Sequence, residues 1–231
     1  MKYLFAIILL LFSVSKTADA QEYMYHHSLV TLSMGVAVPA YDFGSAKGIN
    51  VSSYATLGTN IVAEASYFYS WHAGIAVMIN YNVNPVDDTR LAEGYLNSSP
   101  AFRTVVANSE SFRDLSGLVG MVFDIPANDY FSFVFKMMGG LRNVYKPATY
   151  IETTTIFSSI NYYESSANET VFAFLGSFGV RAIVNEHFNV HLNASYIGST
   201  FNYTYLRNSR VVNQEAHIGV LSISGGVSYF F

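Results

Sequence analysis

Three patterns predict an all-β chain whose strands close into an eight-stranded, antiparallel, up-and-down barrel. Stretches of about ten residues alternate apolar with small or polar side chains, the two-residue period of a strand whose faces meet different surroundings. Charged residues make up 12% of the 231, while Tyr and Phe number 18 each. Charge that sparse cannot cover an ordinary water-soluble exterior, so the apolar faces must meet something other than water. The connections between stretches alternate long, short, long, short, as in barrels with turns at one end and loops at the other.

The first twenty residues stand apart. Met1-Lys2, the apolar run Tyr3 to Phe12 and the small-x-small site Ala18-Asp19-Ala20 read as a signal peptide, residues 1–20, followed by a single domain, 21–231. The apolar run is shorter than the roughly 20 residues a spanning helix needs, and no later stretch reaches that length. A chain of this kind enters a membrane as a closed barrel or not at all, because lipid leaves no backbone group unpaired. Cysteine is absent, which removes disulfides and thiolate metal sites. The net charge of -4 argues against nucleic acid.

Each element follows from the alternation. After an arm, Gln21 to Ser28, whose His26-His27 reads as a solvated tail and not a metal site, Val30, Leu32, Met34, Val36 and Val38 share one face; Thr31, Ser33, Gly35 and Ala37 share the other. Pro39 ends that strand, since it has no N–H for a ladder. A loop, Ala40 to Gly58, precedes a hairpin of Thr59 to Tyr69 and Ala73 to Asn82. Val83 to Phe112 reads as a long irregular loop. Arg113 to Ile125 and Phe131 to Arg142 form the next pair around the Pro126 to Asp129 turn. Asn143 to Asn168 reads as a second long loop.

The sixth strand, with Phe172, Phe174, Phe178 and Val180 on its apolar face, slips in alternation at Leu175-Gly176, where a bulge is expected. Phe188 to Tyr196 is the seventh, and Gly198 to Glu215 the last loop. The closing strand, Ala216 to Phe231, sets His217, Gly219, Leu221, Ile223, Gly225, Val227, Tyr229 and Phe231 against Ile218, Val220, Ser222, Ser224, Gly226, Ser228 and Phe230, the second face being more polar toward its middle.

Alternation leaves open which face points inward. The polar face carries Gly, Ala, Ser and Asn in place of the Lys and Glu of a soluble exterior. Aromatics on the apolar face gather near strand ends, at Tyr67, Tyr69, Phe131, Phe188, Tyr196, Tyr229 and Phe231, as interfacial girdles do. Both favour apolar side chains turned out into lipid. The alternative is a soluble, lipocalin-like ligand-binding barrel with the apolar face inward.

Gly35 to Pro39, Phe174 to Arg181 and Gly225 to Phe231 resemble the small outer-membrane β-barrel family that includes the OmpA-type transmembrane domain, with single-barrel members in Bacteroidetes. The resemblance implies a bacterial outer-membrane location with both termini periplasmic, contact with outer-membrane lipids and lipopolysaccharide, and a closing strand whose Val227, Tyr229 and Phe231 are read by the barrel-assembly machinery. It implies no cofactor and no cell-wall tether, since the chain stops where a peptidoglycan-binding domain would begin. Some small barrels of this kind are lipid A deacylases with His and Ser two residues apart on one strand. Here His191 and Ser195 are four apart, about 13 Å along a strand, with Asn193 between, so no enzyme is expected.

The lumen-facing charges then become the candidate site. Glu64, Lys136, Arg181 and His191 fall on inward positions, and an eight-stranded lumen is barely wide enough for its own side chains. Glu64 is expected to pair with Lys136 or Arg181, plugging the barrel or, alternatively, forming the constriction of a narrow channel for ions or small solutes. Tyr145, Tyr150, Tyr162 and Tyr163 on the second long loop are the candidate contacts for an extracellular partner, because Tyr, Ser and Asn suit adaptable recognition.

Overall fold

The structure, a computed structural model, describes residues 28–45, 51–208 and 210–231. The expected signal peptide and the His26-His27 arm lie outside the described residues. In chain order the elements are β1 (Ser28–Ala40), a 3-10 turn (Val51–Tyr54), β2 (Gly58–Phe68), β3 (Ala73–Asn84), α1 (Asp88–Ser98), β4 (Phe102–Ser109), β5 (Phe112–Pro126), β6 (Phe131–Lys146), β7 (Thr149–Thr155), β8 (Ser159–Glu164), β9 (Ala167–Ile183), β10 (Phe188–Arg207) and β11 (Arg210–Phe230).

Eight of these strands form a closed antiparallel ring in the order β1-β2-β3-β5-β6-β9-β10-β11, with β11 pairing back onto β1 from Leu29↔Phe230 to Ala40↔Gly219. Closure removes both sheet edges. The curvature is tight enough that neighbouring strands nearly touch where inward glycines sit. A Cβ at Gly35 would lie 2.0 Å from the Ile223 carbonyl oxygen, and one at Gly120 would lie 2.1 Å from that of Met137, so only glycine fits there. Pro39 does not end β1 but lies one residue before its end, beyond the last β2 partner (Ala37↔Gly58) and paired only with β11. Its missing donor is tolerated because the strand has a neighbour on one side only.

The long connections are organised and not irregular. Val83 to Phe112 contains α1 and β4. Asp87 caps α1, its Oδ1 accepting from the Arg90 N–H at 3.0 Å, and Leu91 and Tyr95, one helical turn apart, are its buried face. Two apolar residues give too weak a periodicity to announce a helix. The segment Asn143 to Asn168 completes β6, forms the β7–β8 hairpin and begins β9. Strands β4, β7 and β8 make a small sheet joined to the barrel by one pairing, Glu164↔Arg207. The expected loop Gly198 to Glu215 is a continuous hairpin, paired from Phe188↔Tyr229 to Arg207↔Arg210. No bulge interrupts Leu175-Gly176. Register runs through it on both sides, and the apparent slip is an apolar Leu175 pointing inward beside an outward glycine.

Candidate functional site

Polarity divides the barrel into two zones. In the zone nearest the short turns, Leu32, Met34, Ile75, Val77, Val119, Met137, Phe174, Phe178, Leu192 and Ile223 are exposed on the outer wall. Thr31, Ser33, Asn60, Glu64, Asn80, Asn82, Asp114, Lys136, Arg142, Arg181 and His191 are buried inside. This reverses a soluble ligand-binding barrel, whose apolar face encloses the ligand. On β10 the apolar outer run is Phe188 to Tyr196, and on β11 it is Tyr229 back to Leu221, each close to the 9–11 residues a tilted strand needs to cross hydrocarbon. Farther up the same strands the faces exchange. Phe201, Tyr203, Tyr205, Ala216, Ile218 and Val220 are buried inside, while Thr200, Asn202, Thr204, Asn213, Glu215 and His217 face out.

The lumen of the lower zone is braced by hydrogen-bonded charges at successive heights. Nearest the turns, Arg181 pairs with Asp124 and lies 5.5 Å from the centre of the Phe230 ring, while Leu29 and Phe68 are also buried. Above them Lys136 donates to Glu64 Oε2 at 2.5 Å, and Ser66 donates to Glu64 Oε1 at 2.9 Å. His191 lies between two serines, Nε2 at 2.8 Å from Ser33 Oγ and Nδ1 at 3.1 Å from Ser228 Oγ. The cavity lined by Thr31, Lys136, Arg181, His191, Asn193 and Ser228 is about 10 Å³, room for one water at most.

Higher still, Arg142 is fully buried. It donates to Asp114 Oδ2 at 2.8 Å, to Ser199 Oγ at 3.0 Å and to the Ile218 carbonyl at 3.0 Å. Asp114 accepts from Asn82 at 3.0 Å, and Asn60 donates to both Asn80 (2.6 Å) and Asn82 (2.7 Å). One chain of contacts therefore crosses the lumen from β2 to β10 and β11.

At the loop end, Glu164 on β8 ties the small sheet to the barrel. It accepts from Lys146 Nζ at 3.1 Å through one oxygen and from Arg207 Nε at 2.7 Å through the other. Lys146 Nζ also sits 4.1 Å from the centre of the Tyr205 ring. Burial pulls the Lys146 ammonium below the ordinary lysine range even with Glu164 beside it, and burial pushes the Tyr95, Tyr203 and Tyr205 hydroxyls up. The ring of Tyr95 on α1 lies 6.2 Å from that of Tyr162, so Tyr162 turns toward the helix. Tyr150 and Tyr163 pair across β7 and β8 and are exposed on the outer face; Tyr145 lies beside Arg113 at 5.9 Å.

The structure thus brings Glu64 to Lys136 and sends Arg181 to Asp124 and His191 to two serines. Sequence reading missed Asp114, Asp124, Arg142, Lys146, Glu164 and Arg207. The two basic residues on β6 were within reach: counting by twos from Lys136 along the inward face lands on Arg142 and Lys146. On the closing strand, Val227, Tyr229 and Phe231 form an exposed apolar stripe, the Tyr229 and Phe231 rings 5.0 Å apart. The Phe231 N–H donates to the Ser28 carbonyl at 3.0 Å. Among the described residues no cluster of three or more His, Cys, Asp or Glu could hold a metal.

No protein-family model and no curated protein sequence matches the chain. Solved structures of small outer-membrane barrels are similar to it. Neisserial surface protein A is 11% identical with a TM-score of 0.49, the match covering 88% of this chain and 97% of that one. OprG from Pseudomonas aeruginosa is 12% identical with a TM-score of 0.48, covering 89% and 96%. Ail from Yersinia pestis is 13% identical with a TM-score of 0.42, covering 89% and 99%. These are likenesses of architecture; the barrel itself rests on the strand pairing described above.

Proposed function

We propose that this chain is a non-enzymatic integral protein of a bacterial outer membrane, a plugged barrel that displays a folded cap of α1, β4, β7 and β8 to an extracellular partner. The carrying observation is the exchange of polarity along β10 and β11. A strand that is apolar outside and polar inside for about ten residues, and then the reverse, passes from lipid into water. In this reading the short turns and both termini are periplasmic, the apolar belt meets outer-membrane lipid and lipopolysaccharide, and Val227, Tyr229 and Phe231 present the stripe that the assembly machinery would grip.

The lumen supports a plug in preference to a channel. Lys136–Glu64 crosses it from β6 to β2, Arg142 reaches higher up from β6 to Ser199 on β10 and Ile218 on β11, and the space between side chains near Lys136 and His191 admits about one water. The Ser33–His191 contact supports a structural role as well, because both residues are buried in that filled interior and no substrate-sized space adjoins them. The outward face of β7 and β8, with Tyr150 and Tyr163 exposed, supports recognition at the loop end.

Planar-bilayer recording of mature, refolded protein tests the reading, with Lys136→Ala beside it. Silence is expected from protein shown to be inserted. Reproducible discrete steps whose amplitude changes in Lys136→Ala would replace the plug with a narrow channel for ions or small solutes.

A further inference from the structure

The outer wall carries a groove at the turn end, and the strand lengths explain it. β3 begins at Ala73, opposite Phe123, whereas β5 continues to Pro126 alongside β6. Ile125 therefore has an outward neighbour on β6, Phe133, and none on β3. The turn residue His72 occupies that side, its Nδ1 3.1 Å from the Asp124 carbonyl oxygen and its own carbonyl accepting from the Asp124 N–H at 2.9 Å. The result is a step in the rim, a cavity of about 430 Å³ lined by His72, Phe123, Ile125 and Phe135. That volume lies within the range of small-molecule sites. Its far wall is fixed, since the Phe135 ring packs 5.0 Å from that of Phe178.

We propose that this groove holds one acyl chain of a zwitterionic phospholipid from the leaflet at the turn end, an inference that rests on the membrane reading above. The groove is continuous with the apolar belt, so the medium that meets it is hydrocarbon, and its lining side chains offer a chain aromatic and aliphatic walls. Tyr69 and Trp71, exposed on the same turn as His72, lie where interfacial aromatics mark the headgroup layer. The turns at this end carry the acidic residues Asp129 and Glu186 and, in residues 69–72, 126–130 and 184–187, no Lys or Arg. That balance repels anionic headgroups and accepts zwitterionic ones. Chains elsewhere on the belt exchange over an even wall, while a chain in the step also touches His72 and Phe135 beside Phe123 and Ile125, and the added contact holds it longer.

The test is native mass spectrometry of the full mature chain in nonionic detergent, titrated with palmitoyl-oleoyl phosphatidylethanolamine or phosphatidylglycerol. Ile125→Trp fills the groove, and Val119→Trp, elsewhere on the belt, is the control. One phosphatidylethanolamine per barrel is expected on wild type and Val119→Trp at a concentration about tenfold below that for phosphatidylglycerol, with at least a tenfold loss in Ile125→Trp. Equal retention by all three proteins, or none by a wild type that floats with liposomes, overturns the groove and leaves the membrane barrel standing. A wild type that fails to float with liposomes overturns the membrane reading, and the groove's occupant falls with it.

Discussion

The lower and upper stretches of β10 are one unbroken strand with opposite side-chain patterns. From Phe188 to Tyr196 the outward residues are apolar and the inward ones include Asn189, His191 and Asn193. From Thr200 to Tyr205 the inward residues are Phe201, Tyr203 and Tyr205, and Thr200, Asn202 and Thr204 face out, with apolar Leu206 exposed beyond them at the tip. β11 repeats the exchange between Leu221 and Ile218, and the backbone register never shifts. A strand has no intrinsic preference for either arrangement, so the difference reports the solvent on each side. In the proposed membrane setting hydrocarbon surrounds the wall of the lower zone, and its buried charges Glu64, Lys136, Asp124 and Arg181 are paired inside. In the upper zone water surrounds the wall, and an ordinary apolar core forms, including Phe43, Phe112, Leu91, Tyr95 and Ile151.

The two zones should therefore respond differently to the same kind of change. The largest expected effect is in the braced lumen. Lys136→Met leaves Glu64 buried and unpaired, which costs about 3–5 kcal/mol in denaturant unfolding of the refolded barrel. Adding Glu64→Leu should recover much of the loss, and strictly additive losses would show that the two charges do not depend on each other.

Next come matched substitutions on the outer wall. Leu192→Arg sets a cation against lipid and should cost about 2–4 kcal/mol at mid-depth. Asn202→Arg, ten residues up the same face, should stay within about 0.5 kcal/mol, as an ordinary surface change does. Equal costs at the two positions would remove the boundary on which the comparison depends.

A smaller effect separates the cap from the barrel. Glu164→Ala removes the carboxylate that joins Lys146 to Arg207, so limited proteolysis within residues 149–163 should accelerate about tenfold while the lower zone keeps its unfolding midpoint. Loss of both together would mean that cap and barrel unfold as one unit.

The smallest effect is alkaline. Burial raises Tyr95, Tyr203 and Tyr205 above the ordinary value of 10.0, so the opened cap releases their protons first and the folded cap keeps them. Stability from these groups is complete below pH 10 and is lost as pH rises beyond it. Lys146 acts in the opposite sense in the window below 10.5, where the opened cap holds the extra proton and rising pH favours the closed form. Cap protection measured by hydrogen exchange should hold or increase slightly up to about pH 10 and then decline. Tyr203→Phe should soften that decline, and an unchanged slope in the variant would remove Tyr203 from the account.

The legible part of this protein was the part whose outward side chains are apolar at every second position. In the lower zone the outward positions are apolar while the inward ones mix small, polar and charged residues with apolar ones such as Leu118, Val122 and Met138, so the eight ring strands, their turns and the inward position of Glu64 and Lys136 follow from a period of two. Above the boundary that rule inverts, and an inversion without a register shift looks in the sequence like the end of a strand. That is why Gly198 to Glu215 reads as a loop although it is a paired hairpin. Lys146 lies beyond the point where β6 was expected to stop, whereas Arg142 falls on the expected inward face with Lys136.

By itself the sequence determined the barrel, because alternation with so little charge leaves no other way to satisfy both the side chains and the backbone. Tertiary structure alone decided the rest. Which acid meets which base depends on distances across a closed ring, where Glu64 and Lys136 are 72 positions apart and Asp124 and Arg181 are 57 apart. The cap's α1 and β7–β8 hairpin are stabilised by each other, through Tyr95 and Tyr162, and by the barrel mouth they cover, through the Glu164 pairs, and not by any periodicity of their own.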